Sequence, residues 1–171
     1  MLNRWVRLLK HRWKDDASRV IAPDVLQRLG ERVAASERQH TGEVRICIEA
    51  GLPNSYLLRP DPIRALTRQR ALNQFGKLRV WDTEDNNGVL IYLLLAERAI
   101  ELVADRGLNT RVSPEDWRNV VGQLQDALRR GHFEAGLTQA VDAVSAILTA
   151  HFPVTPGAIN PNELPDHPEL R

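Results

Sequence analysis

The stretch NNGVLIYLLLAERAIELVADRG, residues 86–107, decides the fold of this chain. Its segment 89–95 is an unbroken apolar run, which is typical of a strand covered on both faces. After residues 96–98, apolar side chains recur at every second position up to Ala104, and this period indicates a second strand. Because the connection between the two runs is so short, we predict an antiparallel hairpin.

An earlier strand and a helix precede this hairpin. Residues 43–50 alternate apolar with polar side chains, which is the period of a strand that is covered on one face. The prolines within residues 51–62 interrupt regular structure, and residues 63–78 then carry apolar side chains at helical spacing. A strand, a helix and a strand in this order predict parallel neighbours joined by a right-handed crossover.

Further helices complete the predicted architecture. Pro23 begins a helix that runs to about Gln39, because proline suits the first helical turn. Ser113 and Pro114 begin another by the same rule and by serine capping, and Gly131 separates it from a last helix. We therefore predict an α/β fold in which a mixed sheet, with a βαβ crossover and an antiparallel hairpin, is sandwiched between helices.

Composition and charge limit the classes of function. A length of 171 residues suits one domain, and 23 basic against 22 acidic residues leave no global charge that favours nucleic acid. The single cysteine, Cys47, excludes an intramolecular disulfide and a thiolate zinc site. With no export signal and no apolar run near the roughly 20 residues that cross a bilayer, we expect a cytoplasmic protein.

The two ends of the chain differ from its middle. Residues 1–20 form a basic amphipathic segment whose apolar residues, from Trp5 to Trp13, share one helical face. This segment either packs on the α/β domain of residues 21–152 or docks peripherally on the inner membrane or on a partner. The tail, residues 153–171, holds five prolines and is predicted to be extended.

The predicted topology gathers polar loops at one edge of the sheet. The loop before the second strand, residues 82–88, lies beside the loop after the antiparallel third strand, residues 105–107. We call these two loops the acidic edge, and its oxygen-bearing side chains belong to Asp82, Glu84, Asp85, Asn86, Asn87 and Asp105. Such loops suit calcium, with magnesium as the alternative. The same residues are also ordinary turn formers, so both interpretations stay open on spacing alone.

Four stretches of the chain resemble one protein family. They are Thr41-Gly42-Glu43-Val44-Arg45, residues 86–94, Asp105-Arg106-Gly107-Leu108 and residues 130–136. In them the chain is similar to the TPM domain family of bacterial and plant thylakoid-lumen proteins. The resemblance implies a mixed sheet between helices and a divalent cation, usually calcium, at an acidic cleft, and the family carries a phosphatase label. Many members have a signal peptide and a C-terminal membrane segment, whereas this chain resembles a short cytosolic subgroup.

The resemblance and the loop chemistry together define candidate site residues. The candidate metal ligands, with Asp85 and Asp105 foremost, are Asp82, Glu84, Asp85, Asn86 and Asp105. Arg106 is a candidate for stabilising negative charge beside them. No residue is assigned a catalytic role, because the histidines are scattered through the sequence and form no triad pattern.

Three functions follow from these residues, and all stay open. The first is a non-enzymatic accessory module whose cation-ordered edge and N-terminal helix engage an unidentified protein partner at or near the inner membrane. The second is a metal-assisted phosphomonoesterase, and the third is a structural domain without metal. No nucleic-acid partner is expected, because the basic face of helix 63–78 has no interleaved aromatic residues.

Overall fold

The computed structural model describes residues 11, 17, 21–157 and 160–171. The basic amphipathic segment 1–20, with its predicted helix, therefore lies outside the described residues apart from His11 and Ala17, which are both buried. Leu52 donates its backbone N–H to Nδ1 of His11 at 2.9 Å. Among the described residues, no helix has both the length and the apolar character that crossing a membrane requires.

The secondary structure follows the predicted order. The elements are α1 (Pro23–Glu37), β1 (Val44–Glu49), α2 (Asn54–Leu57), α3 (Ile63–Lys77), β2 (Val89–Leu94), β3 (Ala99–Ala104), α4 (Arg106–Asn109), α5 (Pro114–Arg129), α6 (Phe133–His151) and β4 (Glu169–Leu170). The start of α5 is fixed by a capping box in which Ser113 and Asp116 satisfy each other's backbone N–H groups. Gly131 adopts a left-handed backbone with φ 79°, which turns the chain from α5 into α6.

The sheet is mixed and has the strand order β3-β2-β1-β4. Strands β1 and β2 are parallel, with Val44 opposite Val89, and β2 and β3 are antiparallel, with Val89 opposite Ala104. These pairings confirm the predicted crossover and hairpin. The extended tail supplies β4, which pairs in parallel with β1 at Cys47 and Ile48.

Helices cover both faces of the sheet, as predicted, but unequally. One apolar core joins the sheet to α1, α5 and α6, with Ile46 and Ile91 at its centre. The second core, on the other face, joins Leu90 and Tyr92 to α3, to the short α2 and to Leu164 of the tail. One long helix therefore covers the second face, where three cover the first.

Strand β1 differs from the half-covered strand that its alternation predicts, because all six of its residues are buried. Its polar positions have partners on the covering elements: Glu49 accepts from Arg70 of α3, and Arg45 donates to the carbonyl of His167 in the tail. Burial raises the pKa of the Cys47 thiol to about 12, so this cysteine is no thiolate nucleophile at neutral pH.

Candidate functional site

The two loops of the acidic edge meet in the structure. Gly107 donates its backbone N–H to the carbonyl of Asn86, and Asp105 donates to the carbonyl of Gly88, each at 2.9 Å. Both bonds continue the β2–β3 ladder beyond the strand ends. The hairpin itself therefore holds residues 82–88 against residues 105–107.

Thr41 joins a third segment to this edge. Its hydroxyl donates to Oδ2 of Asp85 at 3.1 Å and accepts from Nδ2 of Asn87, also at 3.1 Å. The backbone N–H of Asn87 in turn donates to the hydroxyl of Thr83 at 3.1 Å. One hydroxyl thus fixes the orientation of a carboxylate and an amide on the same loop.

Arg106 lies between the two loops, but it contacts an amide. Its Nε donates to Oδ1 of Asn86 at 2.8 Å, while its backbone N–H donates to Oδ1 of Asp105 at 2.7 Å. Asn86 adopts a left-handed backbone with φ 53°, a conformation that asparagine tolerates better than most residues. Asp105 therefore caps the short helix α4 with one oxygen, which is the turn chemistry that its sequence allows.

Two side-chain oxygens at this edge are buried without a hydrogen-bond donor among the described residues. They are Oδ2 of Asp105 and Oδ1 of Asn87. Asp105 is 9% exposed and Asn87 is fully buried. A buried acceptor left without a partner costs about 1–3 kcal/mol, so these two atoms are suited to a ligand that accepts their lone pairs.

The other candidate ligands are directed elsewhere or stand apart. Asp82 forms an ion pair with Arg79 at 2.5 Å, and Glu84 contributes a backbone N–H to the carboxylate of Glu163 at 3.1 Å. In the part of the chain that is described, no three His, Cys, Asp or Glu side chains are grouped so that they could hold a metal ion. A cation at this edge therefore needs amide or backbone carbonyl oxygens beside the carboxylates of Asp85 and Asp105.

The backbone carbonyls of Asp85 and Asn86 lie against Gly107, which lets the two loops approach closely. A methyl group added at Gly107 would lie 2.6 Å from the carbonyl oxygens of Asp85 and Asn86. Cβ atoms do not approach backbone oxygens so closely, so only glycine fits here without a shift of the loops.

We expect Gly107→Ala to lower the free energy of unfolding by about 1–3 kcal/mol, because the added methyl group must push the two loops apart. Urea denaturation followed by circular dichroism measures this loss. Gly122→Ala is the matched control, since a methyl group there meets nothing within 4 Å and alanine favours the helix. Equal stability changes in the two variants would contradict the close approach at Gly107.

The tail also reaches the acidic edge, which sequence reasoning missed. The Glu43 carboxylate accepts the backbone N–H groups of Glu163 at 3.2 Å and Leu164 at 3.1 Å, and Glu163 contacts the N–H of Glu84. Burial raises the pKa of Glu43 to about 7. The signal in the sequence was the stretch Asn162-Glu163-Leu164-Pro165-Asp166, which predicts a tail that packs or contacts a partner without saying where it lies.

Comparisons with known proteins agree with this geometry. A family profile described as the TPM domain matches residues 14–147. The NMR structure of the BA42 protein from the psychrophilic bacterium Bizionia argentinensis is 22% identical and superimposes with a TM-score of 0.75, covering 88% of this chain and 95% of that chain. The solution structure of the N-terminal domain of a protein from P. gingivalis is 21% identical, with a TM-score of 0.53 over 77% of this chain and 78% of that chain.

At these identities the structural likeness shows the fold, and it assigns no activity. No curated protein sequence matches the chain. The residues of the acidic edge must therefore be judged on their own contacts.

Proposed function

This chain belongs to the TPM domain family, and we propose from that premise that it is a non-enzymatic interaction module which binds a divalent cation at the acidic edge. The observation that carries the proposal is the pair of buried oxygens without donors, Oδ2 of Asp105 and Oδ1 of Asn87. A cation satisfies such acceptors and draws the two loops together, which orders a surface for a protein partner.

The donor set favours calcium, with magnesium as the alternative. Asp85 and Asp105 supply carboxylates, Asn87 supplies an amide oxygen, and the loop carbonyls beside Gly107 are within reach of the same edge. Calcium accepts six to eight oxygens of this mixed kind in irregular geometry, whereas magnesium requires near-octahedral geometry and gives up its water reluctantly.

The ionisable groups near the edge support recognition more than catalysis. Nε of Arg106 is engaged by Asn86, and the fully buried His40 contacts the carbonyl of Gly42 through Nδ1 at 2.8 Å. Burial also lowers the pKa of His40, which keeps the ring neutral. We propose that the partner is a protein at or near the inner membrane, because the basic amphipathic character of segment 1–20 is compatible with docking there.

The metal-assisted phosphomonoesterase is the rival function, favoured by one observation. Arg106 lies beside Asp105, and its guanidinium would supply positive charge to a phosphoryl group bound at a cation. The same preparation therefore needs to be tested for binding and for turnover.

We expect calorimetric titration of the metal-stripped protein to show saturable calcium binding, and Asp105→Asn to weaken it at least tenfold. The variant removes the negative charge while keeping the shape of the side chain, so the thermal stabilisation by calcium should fall with the affinity. Asp126→Asn is the matched control, because Asp126 is an exposed residue of α5 that pairs only with Arg129 among the described residues.

Turnover of a phosphate ester separates the two functions. Calcium binding without turnover supports the interaction module, while turnover that Asp105→Asn abolishes supports the phosphomonoesterase. Absence of binding to either cation would overturn both and leave the acidic edge as a set of capped turns.

A further inference from the structure

The large hydrophobic side chains that are exposed in the described part of the chain gather around one helix. They are Leu58 at 60% exposure, Leu72 at 48% and Trp81 at 49%. Leu72 belongs to α3, and the other two lie in the turns that flank this helix. Single exposed apolar residues are ordinary on a protein surface, but a group of them on one element marks a site of contact.

The contacts of these residues form a continuous strip. Leu72 and Gly76 are one helical turn apart on the same face of α3. The indole of Trp81 donates to the carbonyl of Gly76 at 3.3 Å, which holds the ring against the end of the helix. A methyl group at Gly76 would meet nothing within 4 Å, so the strip is open between Leu72 and Trp81.

Leu58 belongs to a turn that Arg59 holds beside the middle of α3. Arg59, the next residue, stacks on the Tyr56 ring at 4.4 Å and donates to the side chain of Gln69 at 2.9 Å. These contacts fix the turn that carries Leu58 beside the helix. From Gln69 to Gly76, α3 rises about 10 Å, which is the length of nearly two helical turns. We call Leu58, Leu72, Gly76 and Trp81 the α3 strip.

The charge around the strip is positive. Helix α3 carries no acidic residue, and its basic residues are Arg64, Arg68, Arg70 and Lys77. Arg70 is buried against Glu49, whereas the other three are exposed. Two of the carboxylates that border the strip are paired, Glu101 with Arg68 at 3.3 Å and Asp82 with Arg79, and the third, Asp61, is half-buried before the start of α3.

We propose that the α3 strip docks an acidic amphipathic helix of a partner protein. Apolar side chains one turn apart on that helix would pack between Leu72 and Trp81, and its carboxylates would face Arg64 and Lys77. The proposal rests on the function as an interaction module and names the partner's chemistry. Trp81 directly precedes Asp82, so the docked helix would end beside the acidic edge.

Other occupants fit the strip less well. An extended peptide needs free backbone donors and acceptors on the protein, whereas the backbone groups of α3 are hydrogen-bonded within the helix. An anionic membrane needs a broader apolar face than these few half-exposed side chains provide. A nucleic acid needs a row of cations along its phosphates, whereas Arg68 and Arg79 are paired with carboxylates, which leaves only Arg64 and Lys77 beside the strip.

The test uses a synthetic helical peptide of about 18 residues with leucines one turn apart and glutamates between them, labelled for fluorescence anisotropy against the full-length chain. We expect saturable binding, at least tenfold weaker binding of a peptide with the same composition but scattered leucines, and at least tenfold weaker binding by Leu72→Glu. The matched control is Gln123→Glu, which adds the same charge at an exposed position of α5 and should bind like the wild type.

The outcomes separate this proposal from the cation site. Calorimetry should give the same calcium affinity for Leu72→Glu and for the wild type, so loss of peptide binding alone is assigned to the strip. Peptide binding that persists in the presence of a chelator supports docking at the α3 strip, even if the protein binds no cation. Equal binding of the two peptides, equal binding by Leu72→Glu, or Leu72-dependent binding only to vesicles with 30% phosphatidylglycerol would overturn the proposal.

Discussion

Arg70→Met is expected to lower the free energy of unfolding by about 3–5 kcal/mol, because it leaves a buried carboxylate without its cation. Arg70 donates Nε to both oxygens of Glu49, at 3.1 and 2.9 Å, and Nη2 donates to Oε1 at 2.5 Å. The Tyr92 hydroxyl adds a bond of 2.6 Å to the same carboxylate. All three residues are buried, at 8% exposure or less.

The pKa of Tyr92 shows how strongly this cluster favours one charge state. Burial raises the pKa of the phenol far above its usual value, and the negative charge of Glu49 raises it further. The hydroxyl therefore stays protonated at neutral pH and donates to Glu49. Without Arg70, the Tyr92 hydroxyl is the one side-chain donor that Glu49 keeps among the described residues, and the charge of Glu49 is no longer balanced inside the core.

Urea denaturation at pH 7 measures the loss, which corresponds to a melting temperature lower by about 10 °C for a chain of this size. The triple variant Glu49→Met, Arg70→Met, Tyr92→Phe removes every member of the cluster and should recover most of the stability, since no charge is left buried. A loss below about 1 kcal/mol in Arg70→Met would show that water reaches Glu49 and that the cluster is not sealed.

This cluster also explains why β1 is buried on both faces, although its sequence predicts cover on one face only. The strand alternates like a half-covered one, but its polar phase is buried because the partners come from distant parts of the chain. Arg70 lies 21 residues from Glu49, and His167 lies 122 residues from Arg45. A period in the sequence reports polarity, and it does not tell whether a polar residue meets water or a buried partner.

The hairpin and the crossover were predictable because their signals are local. The apolar run of β2 requires cover on both faces wherever it lies, and the short turn after it leaves an antiparallel partner as the only outcome. The meeting of residues 82–88 with residues 105–107 follows from that topology alone.

The contacts of the individual side chains at the acidic edge could not be predicted from the sequence. Asp82 resembles Asp85 in type and position, yet a neighbouring Arg79 engages it, whereas Thr41 engages Asp85. Asn87 was not among the candidate ligands, because its burial depends on packing against residues far away in the chain. The ligand assignment to Asp85 and Asp105 stays a prediction until cation binding is measured.

Raising the pH from 7 to 9 is expected to lower the free energy of unfolding by about 2–3 kcal/mol, mainly through Glu37. This carboxyl group is buried at the end of α1, where Oε1 accepts the backbone N–H of Val44 at 2.9 Å. Burial, together with the nearby charges of Glu43 and of Asp166 in the tail, raises the pKa of Glu37 to about 9.

The sign follows from proton binding in the two states. A carboxyl group in the unfolded chain titrates near its model value of 4.5, whereas Glu37 in the folded chain holds its proton to about pH 9. Between these values the folded state binds more protons, so stability falls as pH rises, at up to about 1.4 kcal/mol per pH unit. Glu43, with its pKa raised to about 7 by burial, adds to the slope mainly below neutral pH.

Glu37 dominates the window from pH 7 to 9, because the buried His40 is already neutral there. Cys47, whose pKa burial also raises, and the last part of the Glu43 titration add smaller losses of the same sign. Glu37→Gln keeps a side-chain acceptor and has no proton to lose, so it should show only a small part of the wild-type slope over this range. Glu31→Gln, an exposed change on the same helix, should retain the slope of the wild type. Stability that rises with pH in the wild type would contradict the raised pKa.

Ionisation of Glu37 should also weaken the contact between the tail and β1. Glu37 and Glu43 from the domain face Glu163 and Asp166 from the tail, while Arg45 is held by the carbonyl of His167. Ionisation of Glu37 places another negative charge among these carboxylates, and the repulsion acts on the contact that brings the tail to β1. The amide hydrogen of Leu164 should therefore exchange faster at pH 9 than base catalysis alone predicts. Glu37→Gln should remove this excess in the exchange rate.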